Sequence, residues 1–286
     1  RQLPGDKIYN ALDELIKGLS TSLRAGSMAA KAVMTTDTIK KEAGCKIKIG
    51  RQTITIGGMA KGSGMIAPDM ATMLSFITTD IRISPALLKK AGYQALEESF
   101  NNITVDGDMS TNDTVLIMAN GLAGNKGFTY NSAEYKKFCA GLTFVCIQLA
   151  KMIVADGEGA AKLVDITVKN SRSRQEARRV ALGIANSNLV KTMIAGGDPN
   201  WGRVISAAGA GKVKFDPERV KLYFGKYCVF QKGQGKATAG LKSVEKELSK
   251  KEVKITLDLN SGKAQAKVYT CDLTKEYVAI NAEYST

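Results

Sequence analysis

Two neighbouring residues, Ala71 and Thr72, have the side chains that a self-cutting threonine nucleophile requires. The chain of 286 residues contains no histidine, which excludes Ser-His-Asp and Cys-His arrangements and metal sites that depend on imidazole. A threonine at a chain N-terminus can use its own α-amino group as the base, because the pKa of that group is about 7.7 to 8.0. Thr72 would reach that state if the preceding bond were cut, and the small Ala71 leaves the carbonyl open to attack by the threonine hydroxyl.

A second interpretation of the same segment is structural. Its apolar residues repeat at the spacing of one helix face: Met70, Met73, Leu74 and Ile77. This pattern predicts a core-facing helix in which Thr72 is incidental. Ala-Thr pairs are common, so these residues on their own leave both interpretations open.

Composition is that of an ordinary globular protein, with 44% hydrophobic and 6% aromatic residues. The length predicts one large or two medium domains with enough core to fold without metal ions or disulfides. The apolar run over residues 138–150 is too short by itself to cross a bilayer and predicts a buried helix. Five scattered cysteines, none in a C-x-x-C spacing, argue against a zinc site or a disulfide framework and favour a reducing compartment.

The net charge of +14 is the strongest indication of a nucleic-acid or other anionic partner. However, the lysine pairs are spread along the chain, at positions 40–41, 89–90, 136–137 and 250–251, and are not interleaved with aromatic residues that could stack on bases. We therefore expect a solvated basic surface and no nucleic-acid partner. A basic nucleic-acid-binding protein is the alternative from a different class, and its affinity would fall steeply with salt.

The elements that must position these residues alternate between helices and strands. In the first half, apolar spacing and turn residues predict an amphipathic helix over 8–19, a hairpin over 45–57, a helix that begins at Ser84-Pro85, a strand over 103–105, a helix after Thr111 and a long helix over about 132–154.

Near Leu163 the pattern restarts. It predicts a strand over 163–168, a capping box at Ser173 and Glu176 that opens a helix to about 186, a strand-like stretch over 220–230, a short helix near 243, and strands over 253–257 and 264–269. The predicted fold is therefore α+β. A layered sheet-and-helix nucleophile domain, residues 1–162, is followed by a smaller α+β domain, residues 163–286.

Six segments, in order along the chain, resemble those of the ornithine acetyltransferase family, the bifunctional glutamate N-acetyltransferases of arginine biosynthesis. They are MTTDT (34–38), KGSGMIAPDMATML (61–74), TVDGDMSTNDT (104–114), DGEG (156–159), DPNWGR (198–203) and the terminal stretch 280–286. The resemblance covers essentially the whole chain.

The resemblance implies that the precursor cuts itself between Ala71 and Thr72 and that the two resulting chains stay associated, as a heterotetramer or similar oligomer. Thr72 would then take acetyl from N-acetylornithine as an ester and pass it to glutamate, which is ping-pong acyl transfer. It implies no metal, no bound cofactor and no membrane partner, and leaves open whether acetyl-CoA is a further acetyl donor. The implied compartment is the cytoplasm, or the mitochondrial matrix in a eukaryote.

The resemblance places the family's substrate-binding positions at Thr35, Lys61, Thr72, Glu158, Asn281 and Thr286. We expect Lys61 to pair with the substrate α-carboxylate and Glu158 with the amine of ornithine. Without the family, Lys61 would be a solvated lysine, Glu158 a loop carboxylate and Thr35 a cap. Asn281 and Thr286 would belong to a frayed tail.

Three features depart from the family pattern. Asp69 stands where the family usually has asparagine, and this carboxylate would raise the pKa of the Thr72 amine or change the rate of self-cleavage. Ser285 stands where the family often has arginine, close to the predicted substrate contact at Thr286. The family's oxyanion hole, a Thr-Gly pair, would lie immediately upstream of Arg1; we expect the full protein to carry it, since losing one donor costs about 100- to 1,000-fold in rate.

The acidic segment from Asp106 to Asp113 predicts a turn near the site, in which short polar side chains bond the backbone and which has no catalytic role. A calcium loop of the EF-hand type would need glycine and glutamate where this chain has Thr111 and Ile117. Trp201 is expected to serve packing. The alternative enzyme class is an N-terminal-nucleophile amidase or aminopeptidase of similar fold, which hands the acyl group to water.

Overall fold

The structure, a computed structural model, describes residues 4–67, 73–109, 112–211, 213–236 and 241–283. The predicted positions Asp69, Ala71, Thr72, Ser285 and Thr286 lie outside these ranges. The described helices are α1 (Gly5–Asn10), α2 (Leu12–Lys17), α3 (Leu23–Ala32), α4 (Pro85–Glu98), α5 (Ala133–Ala155), α6 (Arg174–Ala185), α7 (Asn188–Gly196), α8 (Trp201–Ala210), α9 (Leu241–Leu248) and α10 (Lys275–Glu283). The described strands are β1 (Lys41–Ile49), β2 (Gln52–Lys61), β3 (Leu74–Thr79), β4 (Thr114–Ala119), β5 (Leu163–Ser171), β6 (Lys221–Phe224), β7 (Tyr227–Gln231), β8 (Gln234–Gly235), β9 (Glu252–Asp258) and β10 (Ala264–Cys271).

The first sheet has the order β1-β2-β3-β4. Its first two strands form the predicted hairpin, with Ile47 opposite Ile54. In the tight turn between them, Gly50 has a φ of +60°, a conformation that glycine adopts without a steric penalty. Strand β3 pairs antiparallel with β2 and parallel with β4, and α4 lies between β3 and β4 along the chain, as a parallel connection requires.

The segment after Thr72 is a strand, so the helical interpretation of its apolar residues is wrong over its described part. Ser75, Ile77 and Thr79 of β3 are buried while the residues between them are more exposed. This alternation, together with pairing on both sides, is the period-2 pattern of a sheet. The i, i+3, i+4 spacing was therefore a coincidence within a short apolar run.

Helix α5 is the long predicted helix, and the Ser132 side chain caps it by accepting a hydrogen bond from the Tyr135 amide. It is 23 residues long and, by length and composition alone, it is apolar enough to cross a membrane, which the shorter run over 138–150 did not suggest. It packs against β1, β2 and α4, and 56% of its most apolar stretch is buried inside the protein. This packing is that of a core helix.

The second sheet has the order β10-β5-β9-β6-β7-β8. The predicted strands at β5, β9 and β10 and the helix opened by Ser173 are confirmed, and the Ser173 side chain accepts from the Glu176 amide. The stretch over 220–230 is two strands joined by a turn. The Trp201 ring lies 5.1 Å from the Phe230 ring and packs against the core, as expected.

Three predicted elements are wrong. Residues 103–105 form only an isolated bridge, between Ile103 and Tyr269. The stretch after Thr111 is strand β4 and not a helix, because its alternating side chains pair with β3. The amphipathic helix over 8–19 is two short helices that meet at Ala11, and its apolar side chains are exposed, Leu19 by 80%.

The two sheets have separate clusters of buried apolar side chains, and each sheet carries helices, so the predicted α+β class is confirmed. The cluster around the first sheet includes most of α5, and the cluster around the second includes α6, α7 and α8. The division into domains at residues 162 and 163 stays a prediction.

Truncation of the fully buried Leu149 in α5 should destabilise the protein strongly, because it leaves a cavity against the first sheet. We expect Leu149→Ala to lower the free energy of unfolding by about 2–5 kcal/mol. Phe144→Ala, in the same helix but at a side chain that is 49% exposed, is the control and should cost clearly less. Urea unfolding of both variants measures the difference, and equal losses would contradict the buried placement of Leu149.

Candidate active site

Sheet pairing fixes the surroundings of the segment that follows Thr72. Lys61, the last residue of β2, is opposite Leu74, the first residue of β3, and Leu74 is in turn opposite Thr114, the first residue of β4. Lys61 therefore flanks the start of β3 on one side, and the acidic segment that ends at Asp113 flanks it on the other.

Met73, the residue that follows Thr72, is held from both ends of its backbone. Its amide N–H donates to Asp113 Oδ1 at 2.7 Å, and its carbonyl accepts from the Thr114 amide at 3.0 Å. Two hydrogen bonds to adjacent residues of one neighbouring segment leave this residue little freedom. The chain direction at the start of β3 is therefore defined.

A buried lysine joins the loops that carry the predicted substrate-binding residues. The Lys41 side chain has no exposed surface, and its ammonium lies 2.5 Å from Asp37 Oδ1 and 2.6 Å from Asp156 Oδ2. Buried charges of this kind are tolerated only when they are paired and hydrogen-bonded. Asp37 and Asp156 lie two residues from the predicted positions Thr35 and Glu158, so this cluster holds both positions.

The same two carboxylates also bind backbone amides. Asp37 accepts from the amides of Gly62 at 2.8 Å and Thr35 at 3.1 Å. Burial on its own would raise the pKa of the Asp37 carboxyl, but the hydrogen bonds from Lys41 and these amides outweigh it, so the pKa lies below its ordinary value. Asp37 is therefore a carboxylate at neutral pH and ties Thr35 to the residue that follows Lys61.

Ser63 connects the Lys61 segment to the other two loops. Its hydroxyl lies 2.5 Å from the Thr36 hydroxyl, and its carbonyl accepts from the Glu158 amide at 2.8 Å. The next residue is Gly64, where a β-carbon would overlap the Glu158 carboxylate and require it to move. Glu158 Oε2 in turn accepts from the Asn281 side-chain amide at 2.9 Å.

Asp106 links this network to helix α10. It accepts from the amides of Met65 at 2.6 Å and Ile66 at 2.9 Å, and the Tyr277 hydroxyl lies 3.4 Å from it. Burial raises the pKa of the Asp106 carboxyl, although the hydrogen bonds from the backbone amides lower it in part. Burial and the nearby charges of Asp106 and Glu158 raise the pKa of Tyr277 to about 12. The acidic segment thus bonds backbone near the site, as the sequence predicted.

The predicted positions that the structure describes are therefore brought into one network. Glu158 and Asn281 are in direct contact, and Thr35 and Lys61 lie in segments that are hydrogen-bonded to each other through Asp37. Ala71, Thr72 and Thr286 lie outside the described residues, so their placement stays a prediction.

Sequence reasoning missed three residues that hold this network, Asp37, Lys41 and Asp156, and it gave Asp106 and Asp113 no individual role. All of these except Lys41 lie inside the motifs that carry the family resemblance, which was the available signal. Short carboxylates in turns are usually taken as local caps, and nothing in the spacing showed that Lys41 would be buried between two of them.

The arrangement offers a cation, Lys61, and an anion, Glu158, on neighbouring segments, which suits an amino acid that carries both charges.

The described residues contain no group of three or more Cys, Asp or Glu side chains suited to a metal ion. The expectation that the protein uses no metal stays a prediction. A cavity of about 920 Å³ lies between the β1–β2 turn and the start of α5, and no candidate residue lines it. Cavity size alone does not locate this site.

Comparisons with known proteins agree with the resemblance. A family model described as the ArgJ family matches residues 1–286. The "arginine biosynthesis bifunctional protein ArgJ" of Symbiobacterium thermophilum is 46% identical over 284 residues, which are 99% of this chain and 70% of that protein. The "glutamate N-acetyltransferase" of Methanocaldococcus jannaschii is 44% identical over 290 residues, covering 98% of this chain and 69% of that protein.

A solved structure is also similar. The crystal structure of arginine biosynthesis bifunctional protein ArgJ from Bacillus halodurans matches with a TM-score of 0.72 and 41% sequence identity. The match covers 74% of this chain and 100% of that chain. This degree of identity supports the same fold over the matched part.

Removal of the buried cation should be far more damaging than removal of its exposed neighbour. Lys41→Met leaves two carboxylates in the interior without their partner, so we expect a loss of about 3–5 kcal/mol in the free energy of unfolding. Lys40→Met, at a side chain that is 49% exposed and paired with Glu42, should cost about 0–1 kcal/mol. Denaturant unfolding of both variants makes the comparison, and similar losses would show that the Lys41 cluster is not a stabilising link.

Proposed function

This chain belongs to the ArgJ family, and from that premise we propose that it is an ornithine/glutamate N-acetyltransferase of arginine biosynthesis that works through an acetyl ester of Thr72. It is an acyltransferase, as the names of its relatives indicate. One observation carries the proposal for the site. The Lys61 segment and the Glu158 turn are hydrogen-bonded to each other through Ser63, and Lys61 flanks the strand that follows Thr72.

Self-cleavage before Thr72 is the first step of the proposal. The Thr72 hydroxyl attacks the Ala71 carbonyl and the C–N bond between Ala71 and Thr72 breaks, which forms an ester and frees the Thr72 amine. Water then hydrolyses this ester, which releases the Ala71 carboxylate and restores the Thr72 hydroxyl. A cut before Thr72 would leave a C-terminal chain with about three quarters of the residues.

Acetyl transfer then proceeds in two half-reactions. The Thr72 hydroxyl attacks the acetyl carbonyl of N-acetylornithine, its proton passes to the threonine amine, and ornithine leaves with that proton on its nitrogen. Glutamate enters, its amine attacks the ester, and N-acetylglutamate leaves as the hydroxyl regains a proton. Lys61 pairs with the α-carboxylate of either amino acid, and Glu158, held by Asn281, pairs with the side-chain amine of ornithine.

Several finer points are part of the proposal. The two chains produced by cleavage stay associated in an oligomer such as a heterotetramer, and the protein works in the cytoplasm or, in a eukaryote, in the mitochondrial matrix. Acetyl-CoA is a candidate second donor, and no bound cofactor is required by the proposed steps. Thr35 and Thr286 complete the substrate contacts.

The alternative is an amidase or aminopeptidase of similar fold. Such an enzyme would hydrolyse the acetyl ester, so its turnover of N-acetylornithine would not depend on glutamate. A transferase must instead keep water from the ester and bind a second amino acid. Glutamate-dependent release of ornithine separates the two.

The intact mass of the purified protein tests self-cleavage. We expect two chains, one of which begins at Thr72 by N-terminal sequencing. Thr72→Ala should give one uncut chain without acetyl transfer, whereas Thr72→Ser, which keeps a hydroxyl, should still be cut. Cleavage in the alanine variant would rule out Thr72 as the group that cuts the chain.

Glu158→Gln tests the role of the candidate amine partner. A hydrogen bond to a charged group contributes about 1.5–3 kcal/mol, so the KM for N-acetylornithine should rise about 10- to 100-fold. The KM for glutamate, which has no side-chain amine, should change much less. Glu276→Gln, at an exposed carboxylate of α10, is the matched control. If both KM values of the Glu158 variant stayed at the wild-type level, the assigned role would be wrong.

A further inference from the structure

Asp113 is hydrogen-bonded to Met73, the residue that follows the candidate nucleophile, and the steps proposed above do not use it. Its Oδ1 accepts from the Met73 amide at 2.7 Å, and the residue after it begins β4, opposite the first residue of β3. The Met73 amide is the nitrogen of the peptide bond between Thr72 and Met73. Asp113 is therefore hydrogen-bonded to the backbone directly after Thr72.

The second oxygen of this carboxylate has no hydrogen-bond partner among the residues that the structure describes. In the described ranges, four buried side-chain polar atoms lack a hydrogen bond, and Asp113 Oδ2 is one of them. Burial raises the pKa of the Asp113 carboxyl above its ordinary value, although the Met73 amide and the charge of Lys61 act in the opposite direction. Buried polar groups are nearly always hydrogen-bonded. Asp113 Oδ2 can therefore accept a hydrogen bond from a donor that is present only in the working enzyme.

Self-cleavage supplies such a donor at short range. Before cleavage the Thr72 nitrogen is part of a peptide bond; afterwards it is an amine with additional N–H groups. The bonds N–Cα, Cα–C and C–N join this nitrogen to the Met73 nitrogen, so the two are less than about 4 Å apart. The Met73 nitrogen is itself in contact with Asp113.

We propose that Asp113 is a positioning residue for the nucleophile: Oδ1 fixes the amide that follows Thr72, and Oδ2 accepts a hydrogen bond from the α-amine that cleavage releases. This inference rests on the proposed function. Activated nucleophiles commonly pair with a base that a third group orients, and here the hydroxyl, the amine and the Asp113 carboxylate are these three groups. As the hydroxyl attacks, its proton moves to the amine, and Asp113 keeps the resulting ammonium aligned until the leaving amine takes the proton.

Asp113→Asn in the full chain is the sharpest test. The variant retains an oxygen for the Met73 amide and replaces only Oδ2, by an NH₂ group that cannot accept a hydrogen bond. We expect a normal melting temperature, normal cutting before Thr72, and KM values for both substrates within about twofold of wild type. We expect kcat to fall about 100-fold, and the acetylation and deacetylation half-reactions to slow by the same factor, because both use the amine.

Asp108→Asn, at an exposed carboxylate of the same segment, is the control and should keep the wild-type kcat. A wild-type kcat in the Asp113 variant would overturn the proposal, as would a loss in only one half-reaction. An uncut Asp113→Asn chain would also overturn it, because the carboxylate would then act before the amine exists. If the wild-type protein is uncut or transfers no acetyl group, the proposed function is wrong, and the role of Asp113, which rests on it, is then wrong as well.

Discussion

The pairing of the buried Lys41 ammonium with Asp37 and Asp156 is the interaction on which the candidate site depends. A charge without solvent is stable only when its partners are in place, so the ion pairs hold the segment over 37–41 against Asp156, and Asp37 also binds the Gly62 amide. Each carboxylate then uses its remaining capacity on backbone or hydroxyl groups of neighbouring loops. Because the buried charges must stay paired, the cluster keeps the segments that carry Thr35, Lys61 and Glu158 in fixed relative positions.

A second constraint comes from strand register. Because side chains alternate along a strand, a shift of one residue in β2 would move Lys61 to the opposite face of the sheet. A shift in β4 would move Asp113, the residue before it, away from the Met73 amide. The parallel pairing of β3 and β4 is anchored by the core that α4 and α5 form on the sheet. The apolar core therefore sets the positions of two charged residues that do not belong to it.

The sequence predicted the elements whose signals are local. The β1–β2 hairpin has a glycine turn between alternating isoleucines, and α4, α5 and α6 begin at serines that cap them in the structure. It failed where pairing partners decide the outcome, since six residues such as β4 carry too little periodicity to separate a strand from a helix. The Lys41 cluster could not be predicted for a related reason. Lys41 and Asp156 are 115 residues apart, and no local sequence pattern links them. Family resemblance supplied the positions of the site residues but not what holds them.

The glycines of the KGSG and DGEG motifs illustrate how packing and chemistry share the same residues. Gly64 leaves the space that the Glu158 carboxylate occupies, and Gly159, at a φ of +66°, leaves the space for the Tyr277 backbone amide. A β-carbon at Gly159 would overlap the backbone of α10, whereas one at Gly64 would require the Glu158 carboxylate to move. The position of Glu158 beside Asn281 therefore depends on the space that these glycines leave as well as on its own hydrogen bond.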